Sequence, residues 1–85
     1  MDRLEAMSIL RETVDAGSLS AAGRRLGVPL ATVSRKVSEL EKHLGTRLLN
    51  RSSRKLTLTD AGRSYVMACK RILEDVAEAE RVASG

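Results

Sequence analysis

Arg35 and Lys36 stand in a stretch where Thr32, Ser34 and Glu39 are interleaved with valines and leucines at helical spacing. Val33, Val37, Leu40 and Leu44, spaced four, three and four, predict the buried seam of a helix from about Leu30 to Leu44. Thr32, Arg35, Lys36 and Glu39 fall opposite that seam, and Ser34 falls at its boundary. One kind of chemistry suits this pattern. An arginine fork can bond guanine O6 and N7 in the major groove of duplex DNA. The Thr32 and Ser34 hydroxyls can donate to bases or phosphates, and Lys36 suits a phosphate. Leu30, at the start of the helix, has no hydrogen bond to give. Either Leu30 or Ala31 packs on a thymine methyl, or Leu30 folds back as a staple at the helix start. A solvated helix face carries the same residue types, so the reading depends on the elements that would position it.

Those elements can be read from the chain. Leu4, Met7, Leu10 and Val14 predict a first helix ending at Gly17. Ser18 is a good N-cap for a second helix, whose inner stripe is Leu19, Ala22 and Leu26. Ala21, Ala22 and Gly23 keep it slim enough for another helix to approach closely. Gly27-Val28-Pro29 is a short connector, and Pro29 suits the first turn of the Leu30–Leu44 helix, which Gly45 closes. Two helices joined by a tight glycine-containing turn form the helix-turn-helix signature. Leu56 and Leu58 alternate with threonines and predict a half-buried strand. With Leu48-Leu49-Asn50-Arg51 before it and a Ser-Ser-Arg-Lys turn between, it makes a small β-hairpin wing with a basic tip. A two-stranded hairpin is not stable alone, so it must lie on the helices. Thr59 can cap a last helix running to about Val82, with Asp60 in its first turn. Along it Tyr65, Cys69, Ile72, Val76, Ala79 and Ala83 repeat at spacings of four and three, a coiled-coil-like seam. Tyr65, Cys69, Ile72, Val76 and Ala79 are its candidate dimerisation positions. Tyr65 and Cys69 suit packing on their own domain, and Ile72 onward suits a second copy.

Around the reading helix, Ser18, Arg24, Lys36, Arg51, Ser53, Arg54 and Lys55 are candidates for phosphate or wing contacts. Arg54 at the wing tip could enter a narrow minor groove. Arg51, near a strand end, is either such a contact or a partner of Glu41 or another acid. Arg24, Arg25 and Arg47 are phosphate contacts or solvated charges.

Charge and composition narrow the partner. Residues 18–63 carry ten Lys or Arg against Glu39, Glu41 and Asp60, a net +7, whereas residues 1–17 sum to −2 and residues 64–85 to −1. A basic middle between acidic flanks is the footprint of a polyanion-binding surface. Tyr65 is the only aromatic residue, so the stacking platform of single-strand binders is missing and duplex is favoured. Cys69 is the only cysteine and His43 the only histidine, which excludes an intrachain disulfide and leaves a structural zinc site without ligands. The two lack the strained elbow and oxyanion loop of a nucleophilic site, and no Gly-rich phosphate loop is present. No cofactor, metal or catalytic residue is expected. The lone thiol, with neither a signal peptide nor an apolar run of about 20 residues, points to a reducing cytoplasm and no membrane.

Taken together, Ala21-Ala22, Leu26-Gly27-Val28, Ser34-Arg35, Leu40-Glu41, Leu44-Gly45, Leu48, Arg51, Leu56, Leu58-Thr59 and Ala61-Gly62 resemble the N-terminal signature of LysR-type transcriptional regulators. The resemblance covers nearly the whole chain. It implies a mainly α winged helix-turn-helix over residues 1–59 and a linker helix over 60–85 that pairs two subunits antiparallel. It also implies binding to interrupted palindromes near promoters, on the bacterial nucleoid. By the same resemblance Leu30, Ala31, Ser34 and Arg35 touch bases, and Arg54 lies near the minor groove. Pro29 replaces a frequent Ser or Thr cap, Leu30 a frequent glutamine, and Leu49 a frequent phenylalanine. An effector-binding domain of two α/β lobes is expected to be absent from this chain, and with it any small-molecule effector site. The competing reading is a winged-helix protein-interaction module, which should expose an apolar patch on the third helix.

Overall fold

The computed structural model describes residues 1–51 and 55–85. Within them the order is α1 (Arg3–Ala16), α2 (Leu19–Leu26), α3 (Leu30–Leu44), β1 (Leu49–Asn50), β2 (Thr57–Leu58) and α4 (Asp60–Ser84). The two strands pair antiparallel, Leu49 with Leu58 and Asn50 with Thr57. This is the winged helix-turn-helix architecture, with α1, α2 and α3 packed together and the start of α4 laid against α1.

Local chemistry sets the helix ends. The Asp2 carboxylate accepts from the Glu5 amide at 3.1 Å, and the Ser18 hydroxyl accepts from Ala21 at 3.0 Å. The Thr59 hydroxyl accepts from Gly62 at 2.9 Å and donates to the Arg47 carbonyl at 2.7 Å, so one residue both starts α4 and ties it to the approach to β1. Gly27 ends α2 at φ 71°, a left-handed conformation that a side chain would strain. Pro29 sits one position earlier than the first turn: it is the cap residue itself, extended at ψ 150°, and its carbonyl accepts from Thr32 and Val33. A proline offers no capping side chain, so no side chain caps α3.

The core consists of Ala6, Ile9 and Leu10 of α1, Ala22 of α2, Val33, Val37 and Leu40 of α3, Leu48, Leu49, and Val66 of α4. Cys69 is fully buried as well. Three expected stripes need correction. On α1 the inward positions are Ala6, Ile9, Leu10 and Thr13, while Leu4 is exposed and Met7 and Val14 are half-buried. Thr13 is polar and so carries no inward signal in the sequence; its hydroxyl donates to the Ile9 carbonyl at 2.8 Å, which satisfies it inside the core. Leu26 of α2 and Leu44 of α3 are exposed, because each is the last residue of its helix and lies past the packed region. Leu48 and Leu49 are both buried, against the alternation of a strand. Leu48 precedes β1, and its carbonyl takes the Thr59 amide at 3.0 Å. α4 crosses there so closely that a Cβ on Gly62 would stand 2.1 Å from the Leu48 oxygen.

Val66 and Cys69 sit inside the same core as α1–α3, so no break in packing marks a boundary at residue 60. Beyond them the helix becomes largely exposed. Among the described residues, no helix is long and apolar enough to cross a membrane.

Candidate nucleic-acid interface

Helix α3 is held by one face and open on the other. Val33, Val37 and Leu40 are fully buried. Ala31 is exposed, Leu30 is 49% exposed, and the Arg35 side chain is 59% exposed. Arg35 reaches Glu39, one turn on, at 3.4 Å. Such a solvated pair is worth only about 0.3–0.5 kcal/mol, so Arg35 can leave it at little cost. Leu30 at the open end, Ala31 beside it and Arg35 one turn on leave a narrow open surface.

Thr32 and Lys36 turn to the α1 side of this surface. They line a shallow groove with Glu5, Ser8, Ile9, Leu26 and Val28. The Lys36 ammonium forms an ion pair with Glu5, so it joins α3 to α1 and must leave that partner to meet a phosphate. Arg25 likewise reaches Glu12 of α1 at 3.3 Å, whereas Arg24 is exposed. Ser18 is engaged as the α2 cap. It borders a second groove with Asn50, Arg51, Lys55 and Leu56, between the start of α2 and the base of the wing. Ser53 and Arg54 lie outside the described residues.

On the wing side, sequence reasoning underrated one residue and missed another. Glu41 is only 5% exposed. Its Oε2 accepts from the Leu48 amide at 2.8 Å and the Leu49 amide at 3.2 Å. Its Oε1 faces Arg47 and Arg51, each at 3.5 Å. A buried carboxylate is tolerable because cations and amide donors surround it. Arg51 also donates to the Ser34 hydroxyl at 3.4 Å and the Ser38 hydroxyl at 3.2 Å. The Glu41 partnership, one of the two readings of Arg51, is present. The signal for Glu41 was available: it follows Val37 by four residues, on the seam itself. Ser38 gave none, since only the folded wing brings Arg51 to it.

His43 is exposed at the far end of α3, and Cys69 is buried within α4. Burial pushes the Cys69 thiol above its ordinary value, away from the thiolate a nucleophile needs. The candidate dimerisation positions also separate. Cys69 is spent in its own chain's core, Tyr65 and Val76 are half-buried, Ile72 is 39% exposed and Ala79 is exposed.

Comparison with known proteins agrees with this geometry. The model of the bacterial regulatory helix-turn-helix protein, lysR family, matches residues 4–63. An HTH-type transcriptional repressor of Pseudomonas aeruginosa (strain UCBPP-PA14) is 48% identical over 85 residues, which are 100% of this chain and 27% of that protein. The HTH-type transcriptional activator AaeR of Escherichia coli (strain K12) is 45% identical over 76 residues, 89% of this chain and 25% of that protein. The chain thus spans about a quarter of the length of these relatives. Among solved structures, the BenM DBD/catB site 1 DNA complex is similar at a TM-score of 0.90 and 28% identity, over 100% of this chain and 95% of that one. CbnR, a LysR family transcriptional regulator, is similar at a TM-score of 0.90 and 31% identity, over 99% and 29% of the two chains. The winged helix, its open α3 face and these matches lead to one conclusion: the chain belongs to the lysR family of bacterial regulatory helix-turn-helix proteins.

Proposed function

We propose that this chain is the duplex-DNA reading head of a transcriptional regulator, with α3 in the major groove and the wing, residues 51–55, near the minor groove. The observation that carries this reading is the division of α3, with Val33, Val37 and Leu40 buried and Leu30, Ala31 and Arg35 open. The core fixes the angle of the helix, and the open face is then free to meet base edges. Arg35 leaves Glu39 and forks onto a guanine, while Leu30 and Ala31 pack on a thymine methyl. Arg24, Lys36 and the wing cations Arg54 and Lys55 serve phosphates and groove width. The protein-interaction alternative has less support, since the centre of the open α3 face presents the charged pair Arg35 and Glu39.

The head works as a homodimer through α4. Residues 60–85 form its linker helix, and Ile72, Val76 and Ala79 meet a second copy. Two heads on a two-fold axis fit an interrupted palindrome whose half-sites are whole helical turns apart. The kinship with bacterial transcriptional regulators supports a site of action on the nucleoid, in the cytoplasm, and a role in binding, not in catalysis.

Selection of bound duplexes from a random pool tests the reading and yields the operator. Arg35→Ala should weaken binding to the selected duplex by about 1–3 kcal/mol and relax preference at one base pair. Unchanged affinity, with no loss of preference at any position, would remove Arg35 from the interface and the proposal with it.

A further inference from the structure

We propose that Arg51 is a positioning residue that turns Ser34 into a hydrogen-bond donor toward DNA. This rests on the DNA-reading role of α3 argued above. Arg51 follows β1 directly and lies at the base of the wing. It faces Glu41 through Nη2 and the Ser34 and Ser38 hydroxyls through Nη1, at 3.2–3.5 Å. Glu41 in turn holds the Leu48 and Leu49 amides, so the guanidinium is clamped to the frame of the fold.

The consequence follows from the donor inventory. A guanidinium has only N–H donors and no acceptor. Toward Arg51, therefore, Ser34 can act only as an acceptor, and its own proton must point elsewhere. Helical serines commonly return that proton to the carbonyl one turn back. Thr13 does this, donating to Ile9 at 2.8 Å. Among the described residues no acceptor takes the Ser34 proton. Ser34 lies one turn after Leu30 and next to Arg35, at the edge of the open face. The acceptors that a duplex brings there are phosphate oxygens and the N7, O6 and O4 atoms of the major groove. A cation on the Ser34 oxygen also polarises the hydroxyl and strengthens it as a donor. Arg51 thus acts on the DNA through Ser34, without touching a phosphate itself.

The test uses the 85-residue chain with the duplex selected by the wild type and with a random-sequence duplex. Ser34→Ala should weaken the selected duplex about tenfold, the loss of one hydrogen bond. A loss confined to the selected duplex assigns the acceptor to a base; an equal loss on both assigns it to a phosphate. Arg51→Met should cost at least as much, and Ser34→Ala added to it should cost less than about twofold more. The slope of log affinity against log salt should not change in Arg51→Met, because no phosphate contact is lost. Flattening by about 0.9 would make Arg51 a phosphate contact and overturn the proposal. So would a full tenfold cost of Ser34→Ala in the Arg51→Met background. If melting shows Arg51→Met unfolded, Arg51→Gln, which removes the charge and can accept from Ser34, carries the same cycle. If the pool yields no preferred duplex, the DNA-reading role itself fails, and this proposal falls with it.

Discussion

Two buried groups illustrate how single residues commit this fold. Glu41 gathers two backbone amides and two guanidinium groups around one carboxylate. Glu41→Ala would leave those amides without a partner and Arg51 without its counter-charge. It should destabilise the chain by about 3–5 kcal/mol, the usual cost of breaking a buried charge pair, a large share of the stability of a domain this size. A thermal melt with no lowering of Tm would show that the wing holds without it. Cys69 and Tyr65 are the second case. Burial, the largest cause in each, pushes the thiol up from 9.0 and the phenol up from 10.0. The folded state then holds these protons at a pH where the unfolded chain releases them. Their contribution is intact below about pH 9 and is lost as pH rises through the raised folded values. Tm should fall above about pH 9, and less steeply in Cys69→Val. An identical alkaline slope in that variant would acquit the thiol.

At the scale of elements, the close crossing of α4 over Leu48 decides how the linker helix leaves the domain. Gly62→Ala pits two effects against each other. Helix propensity favours alanine by about 1 kcal/mol. A Cβ 2.1 Å from a backbone carbonyl forces the crossing apart, and overpacking of a rigid site typically costs about 1–3 kcal/mol. The clash should win, because the Leu48 oxygen already bonds the Thr59 amide and cannot swing aside. Gly62→Ala should therefore lower Tm, and a raised Tm would show the crossing to be loose. The helix-turn-helix is more legible in the sequence than the inward face of the first helix. Gly17, Ser18, Gly27 and Gly45 punctuate the chain locally. The inward face of α1, by contrast, is chosen by three neighbouring helices, which prefer Ala6 and Thr13 to the larger Leu4.

For the whole molecule, α4 is the axis of extension. Its 25 residues span about 37 Å at 1.5 Å per residue, within a body 45 × 27 × 21 Å. Beyond Cys69 it leaves the core with Ile72 and Val82 open, and Met67 earlier on α4 and Leu4 of α1 are open as well. Pairing of two copies there would cover this apolar surface. Ile72→Asp should then give a monomer by sedimentation at micromolar concentration, with weaker binding to the selected duplex and little change in the fold. A wild type that sediments only as monomer at high micromolar concentration would refute the pairing.

The amino-acid sequence by itself determined the periodic and the local features. These are four helices with the Ser18 and Thr59 caps and the glycine stops, the short strand at Leu58, the charge map and the Val33–Val37–Leu40 seam, because spacing and capping act over a few residues. Tertiary structure decided what depends on distant neighbours. It buried Thr13, exposed Leu26 and Leu44, and gave the Glu41 carboxylate its amide and arginine partners. It also brought Arg51 from the wing onto Ser34 and Ser38. Burial and partner choice are set by where other segments come to rest, and no spacing along one helix records that.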